Sequence, residues 1–330
     1  MTKAEQDFTT TGFTPTGARY LVISRIGADS SHSSWLPLAE REGFDVLLSS
    51  YDRDIPALTG AGLFFEYRPG TKVAGYAEIL RHHEALIRKY RYVALFDDDL
   101  ETDPATVLHL FKIIDGHDFK IAQPALDHSS YFTYACLLQH DGFVFRHVNY
   151  VEMMCPFFRT DVLLGLAPVF DLGFESGIDL VWSSLAHCKP GDLAVIDRLP
   201  VHHRRPVGAI KSVNGFVGGR TYETDIHAIL DRFGLPWLPA LPFGGMLVSG
   251  RYTSSRIRIV LGAASLIRAI FIRSIGFRLR AIGKYFYRLM RGPARTAIAT
   301  LPAAVPGRDA VPDSSSLTFK QYPDMNILRF

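Results

Sequence analysis

From residue 20 onward, short β-rich runs alternate with stretches of helical pattern, and that alternation restricts the chain to few architectures. Residues 20–24, 44–49, 63–67 and 92–96 read as strands, with residues 73–90 between the third and fourth reading as a surface helix. Thr102-Asp103-Pro104 opens another helix, an N-cap residue followed by proline in the first turn. Further on, 121–123, 150–154 and 193–196 read as strands, and 160–166, 179–187 and 223–233 as helices. Strands separated by helices predict an α/β fold, a mixed and mostly parallel sheet flanked by helices. With 330 residues, 48% of them hydrophobic, the chain can bury at least one full core.

Punctuation in the sequence suggests four parts. Residues 1–17 are polar and Thr/Gly-rich and read as a flexible tail. Residues 18–245 form the expected catalytic domain, closed by a Gly/Arg/His-rich loop, a helix and the Pro-rich run PWLPALPFGG. Between residues 250 and 295 stand eleven Lys or Arg and no acidic residue, a separate basic segment. Residues 296–330, with Ala, Pro and a Ser triplet, read as a poorly ordered tail.

A formal charge of +3 is too mild to indicate nucleic acid, and none is expected as a partner. Cys136, Cys155 and Cys188 are far apart and form no C-x-x-C pair, so neither a disulfide framework nor a thiolate zinc site is suggested. No apolar window has the length and freedom from charge needed for a secretory signal or a membrane span, so a cytoplasmic protein is expected.

The run YVALF is followed directly by Asp97, Asp98 and Asp99. A strand's carboxyl end is where α/β proteins form ligand sites, and three adjacent carboxylates repel unless a cation compensates them. Mn²⁺ or Mg²⁺ favours such hard oxygen ligands and commonly takes only one or two protein carboxylates beside substrate phosphates. Asp97 and Asp99 satisfy a D-x-D arrangement; the alternative is a solvated acidic turn that caps the next helix.

Five blocks in order, YRYVALFDDDLE, IAQPALD, VEMMCPFF, SGIDLVW and VIDRLPVHH, carry a further resemblance. Over residues 20–233 the chain resembles the plant domain of unknown function catalogued as lysine-ketoglutarate reductase trans-splicing related, whose pattern looks like a glycosyltransferase of the GT-A type. Two departures are visible. The family's acidic motif usually has Glu in the middle and Trp before it, where this chain has Asp98 and Phe96; its His-Gly-x-Pro run is here His202-His203-Arg204-Arg205-Pro206.

The resemblance implies a GT-A-like (Rossmann-like) fold and a metal that bridges the diphosphate of a nucleotide-sugar donor, offsetting the charge that builds on the leaving nucleotide. It implies Asp99 as first metal ligand, Asp97 as a second ligand or a ribose contact, Asp98 beside them, and His202 as a late metal ligand with His203 as its adjacent rival. Tyr51-Asp52 matches a pair of the family and places Asp52 near the nucleotide, as does Arg25 after the first strand, although an Asp turn would look the same. Arg204, Arg205 and Lys211 surround the histidines and suit a diphosphate, a solvated basic loop being the competitor. Asp179 is the expected base for the acceptor hydroxyl, or a helix N-cap, with Glu175 as fallback. Glu152 lies in an apolar run, where a carboxylate needs a partner or a purpose; with Gln123 and Asp127 it is expected to meet substrate.

In the basic segment Arg273, Arg280, Lys284, Arg288, Arg291 and Arg295 recur on one helical face, with Phe277, Ile282, Phe286 and Leu289 available to the other. A basic amphipathic helical extension of this kind suits an anionic membrane surface, and a peripheral position at the inner face of the membrane is expected; packing on the domain with solvated arginines is the alternative. The expected activity is sugar transfer from a nucleotide-diphosphate sugar to a hydroxyl, with a lipid-linked or polysaccharide glycan as acceptor. The rivals are a nucleotidyltransferase or phosphohydrolase on the same acidic site, and a non-catalytic carbohydrate-binding or membrane scaffold.

Overall fold

The computed structural model describes residues 14–36, 43–207, 220–291 and 298–299. Eleven strands are present there: β1 Tyr20–Ile26, β2 Phe44–Ser50, β3 Leu63–Tyr67, β4 Tyr92–Phe96, β5 Leu100–Glu101, β6 Ile121–Leu126, β7 Phe143–Val148, β8 Phe157–Arg159, β9 Leu193–His203, β10 Pro242–Leu247 and β11 Tyr252–Thr253. The sheet order is β11-β10-β7-β9-β6-β8-β4-β1-β2-β3, with β5 paired to β9. β3, β2, β1 and β4 run parallel, as do β6 and β9; the short β8 is antiparallel to β4 and β6 on either side of it. The expected fold class, a mixed and mostly parallel sheet flanked by helices, is therefore found.

β1, β2 and β4 are buried along their whole length, because helices cover both sheet faces. Asp103 caps the helix Pro104–Gly116, its side chain accepting from the Thr106 N–H, with proline in the first turn as expected. The helix expected over residues 73–90 is two, Lys72–His82 and Glu84–Ile87, broken at His83. Gly75 brings the first of these so close to β1 that a Cβ there would strike the Arg25 guanidinium.

Three sequence expectations are revised. Residues 150–154 are not a strand: their backbone is held by side chains instead of a ladder, the Glu152 N–H donating to Gln123 Oε1 at 2.6 Å and the Met153 N–H to Asp179 Oδ2 at 3.2 Å. β7 and β10, which the sequence did not mark, extend the sheet through the Pro-rich run, so the sheet does not end there. Residues 14–17, assigned to the tail, reach the fold: Thr16 donates from its N–H and its hydroxyl to the buried Asp45 carboxylate.

The basic segment forms the helices Arg256–Ala263, Leu266–Ile270 and Ile275–Arg291, which pack on one another and place Ile259, Leu266, Ile282, Tyr285 and Leu289 in the common core. Arg278, one of the eleven cations of this segment, is buried. It donates to the carbonyls of His128 (2.7 Å), Ser130 (2.6 Å) and Ala269 (3.1 Å), clamping the last helix to the loop after β6. Among the described residues no helix is long and apolar enough to cross a membrane.

Candidate functional site

Asp97, Asp98 and Asp99 leave the carboxyl end of β4, with the Asp97 N–H donating to Met154 O at 2.9 Å. The chain then turns into β5, which lies antiparallel to the end of β9 and sets Leu100 opposite His203 and Glu101 opposite His202. Alternation along a strand sends the two histidines to opposite faces. That short ladder decides which histidine meets the aspartates.

It is His203: its Nε2 lies 3.1 Å from Asp99 Oδ2. Nδ1 lies 2.9 Å from Tyr131 O, and a carbonyl only accepts, so Nδ1 carries a proton. Nε2 of the neutral ring is then a lone pair aimed at the Asp99 carboxylate; facing that carboxylate alone, it must be protonated. Burial opposes the imidazolium, but the Asp99 hydrogen bond and charge outweigh it and raise the His203 pKa above its ordinary value. Asp99 is correspondingly held below the usual carboxylate range, burial being overcome by His203 and Arg205.

Two more cations balance the cluster. Lys72 Nζ is 2.6 Å from Asp97 Oδ1 and donates to Met153 O at 2.8 Å. Arg205 donates through Nε to Asp99 Oδ2 at 3.1 Å and through a terminal nitrogen to Asp98, which also accepts from the Tyr51 hydroxyl at 2.6 Å. Burial, with repulsion from Asp99, still pushes Asp97 upward despite Lys72. One acceptor is left over: Asp99 Oδ1 is buried with no hydrogen-bond partner.

Behind the cluster lie two further carboxylates. Asp179 sits in the first turn of the helix Ile178–Leu185, whose N-cap is Gly177, so Asp179 is not the cap. Its Oδ2 accepts from the Tyr150 hydroxyl at 2.7 Å, and burial raises its pKa. Glu152 is buried, with Oε2 lacking a hydrogen-bond partner, and burial together with the neighbouring Asp179 charge pushes it up to about 7.

The other expected site residues fall elsewhere. His202, expected as a metal ligand, has Nδ1 within 3.0 Å of Asp127 Oδ2 and 3.1 Å of Ser129 Oγ, away from Asp99, because it occupies the opposite face of β9. Asp127 also accepts from the Ser129 and Ser130 N–H groups and so shapes that turn. Gln123 is fully buried and serves the Glu152 backbone. Arg25 is buried beneath the helix Lys72–His82, donating to Ser49 Oγ, Arg68 O and Gly70 O. Asp52 closes a local turn by accepting from the Asp54 N–H. Glu175 accepts from Thr71 Oγ1 and from the Val73 N–H at 3.3 Å, capping that helix. Arg204 engages Ser31 and Asp29. Lys211 lies outside the described residues.

Lys72 was not singled out from sequence, although a signal existed. A lysine in the first turn of a helix opposes the helix dipole and implies a nearby anion, here Asp97. Tyr150 likewise escaped notice because its run resembled a strand.

The family model that matches the chain, over residues 75–155, is described as "Protein of unknown function (DUF707)". The match spans the three aspartates, Gln123, Asp127 and Glu152. No curated protein matches. Among solved structures, S. aureus TarS 1-349 is similar at 11% identity and a TM-score of 0.39, covering 83% of this chain and 92% of that one. The same fragment in complex with UDP-GlcNAc gives 12% and 0.42, covering 83% and 82%. A197 from STIV gives 14% and 0.33, covering 57% of this chain and 86% of that one.

Proposed function

We propose that the chain is a metal-dependent glycosyltransferase that moves a sugar from a nucleotide-diphosphate donor to a hydroxyl acceptor. The observation that carries this reading is the Asp99–His203 pair at the carboxyl end of β4. Asp99 keeps a buried oxygen without a donor, and His203 is oriented by its Nδ1–H bond to Tyr131 O so that Nε2, protonated while it faces the carboxylate alone, would offer a lone pair to a metal at Asp99 once that proton is released. A metal-binding histidine is commonly oriented in this way through its other ring nitrogen.

Among the described residues no three His, Cys, Asp or Glu side chains group into a metal cage. Two protein ligands are nevertheless enough for Mn²⁺ or Mg²⁺ when substrate phosphates and water complete the shell. Asp99 and His203 fit that role, with Asp97 next to them. The metal would supply Lewis-acid stabilisation of the leaving diphosphate.

The chain's own residues provide the rest. Lys72 and Arg205, paired with the aspartates, lie at the acidic cluster, and with a metal bound there they would be available to phosphate oxygens. Asp179, raised by burial and oriented by Tyr150, is suited to receive the acceptor's proton, and Glu152 lies beside it as a carboxyl balanced near neutrality.

Incubation of the purified chain with a panel of UDP- and GDP-sugars, with and without Mn²⁺, tests this by release of nucleoside diphosphate. Slow Mn²⁺-dependent release that Asp99→Ala and His203→Ala abolish and His202→Ala spares is expected. Pyrophosphate release from nucleoside triphosphates, with no diphosphate from any sugar nucleotide, would replace the transferase with a nucleotidyltransferase.

A further inference from the structure

The three C-terminal helices carry a second apolar surface that the fold does not use. All eleven large hydrophobic side chains that are exposed among the described residues fall between Val248 and Met290, and none lies on the rest of the domain. They include Ile257 at 72%, Leu261 at 67%, Phe271 at 70% and Leu279 at 54% exposure. Scattered singly such residues need no explanation; concentrated in one stretch of chain, seven of them on the three helices and the rest in the hairpin and connection beside them, they do.

Their spacing places them on faces. Ile257 and Leu261 are four apart on one helix, and Ile275, Leu279 and Gly283 follow the same step on the last. In that last helix Arg278, Ile282, Tyr285 and Leu289 face the core, so the apolar face anticipated from sequence is largely the packed one. The exposed apolar sector lies next to it, and beyond that sector Arg280 and Arg291 project into solvent. Arg251, Arg256 and Arg258 are likewise exposed, on or beside the first of these helices.

We propose that this face docks on an anionic lipid bilayer, lying in the interfacial plane without crossing it. Two features of this helical segment select that occupant. Apolar side chains standing free of any core are suited to the acyl boundary, and cations without a single acidic residue between positions 251 and 291 are suited to phosphate headgroups. A second copy of the chain would bring the same positive charge against itself. The assignment is independent of the reaction at Asp99 and goes beyond it.

Sedimentation of the full chain with phosphatidylcholine vesicles, with and without an equal part of phosphatidylglycerol, tests the proposal. Binding to the anionic vesicles is expected, weakened by roughly fivefold for each of Arg251→Gln, Arg258→Gln and Arg280→Gln and by raised salt. The triple variant Leu261→Gln/Phe271→Gln/Leu279→Gln should retain its circular dichroism and lose binding by more than about tenfold. If that variant fails to fold, the arginine series decides alone. Absence of wild-type binding to anionic vesicles overturns the proposal, as does equal, salt-insensitive binding to phosphatidylcholine. A dimer that the apolar variant dissolves, without vesicle binding, gives the face to a second copy and overturns it too.

Discussion

Replacing Glu152 by Gln should remove a fall in stability with rising pH near neutrality. The carboxyl is buried beside Asp179, one oxygen has no donor, and its pKa stands at about 7 against an ordinary 4.5. Below pH 4.5 both the folded and unfolded chains hold the proton. Between 4.5 and about 7 the unfolded chain has released it and the folded chain has not, so stability falls as pH rises through that window and levels off above it. The shift of about 2.5 pKa units corresponds to roughly 3 kcal/mol. Glutamine has nearly the same shape and no charge at any pH. The difference in unfolding free energy, Gln minus wild type, should therefore climb by ~3 kcal/mol between pH 4.5 and pH 8. Urea denaturation of both proteins across this range, in metal-free buffer, measures it, since groups not coupled to Glu152 cancel in the difference. Two parallel curves, or a climb below about 0.5 kcal/mol, would mean that the carboxyl ionises normally in the fold and that its burial has been misjudged.

Two further outcomes follow from buried arginines. Arg146 and Asp197, both fully buried, form a two-point ion pair at 2.8 and 2.9 Å that joins β7 to β9; Arg146→Met strands the carboxylate and should cost about 3–5 kcal/mol in urea unfolding, whereas Arg146→Met with Asp197→Leu should recover most of it. Arg278→Ala should cost roughly 1.5–3 kcal/mol and also weaken Mn²⁺-dependent nucleotide binding, because the loop it clamps carries Tyr131 O, the partner of His203; unchanged binding at reduced stability would show that the clamp and the site are independent.

The parallel half of the sheet was legible because its strands are fully buried apolar runs punctuated by turns, and periodicity reports burial directly. Residues 150–154 look the same in sequence yet form no strand, since Gln123 and Asp179 from distant segments supply the hydrogen bonds a ladder would otherwise give. The acidic cluster was equally visible, but its partners were not. Which histidine faces Asp99 depends on the two-residue pairing of β5 with β9, a register that no local pattern encodes. Arg25 and Glu175 show the converse: charged residues at strand and helix ends suit a ligand site, and here the fold uses them to hold the backbone of the helix Lys72–His82 and its approach. In the basic segment, charge counting treated the arginines as equivalent, whereas packing buried Arg278, set Arg273 and Arg288 half-buried against Tyr131 and Trp237, and left Arg280 and Arg291 in solvent.

Asp99 and His203 are proposed to hold a divalent metal together against a nucleoside diphosphate. Calorimetric titration of the purified chain with UDP and GDP, with and without Mn²⁺, tests it most directly, beside Asp99→Ala, His203→Ala and His202→Ala. Binding of one nucleotide that requires Mn²⁺, disappears in the first two variants and survives in the third is the predicted result. Binding indifferent to metal, no binding of either nucleotide, or binding that depends on His202 and not on His203 would contradict it.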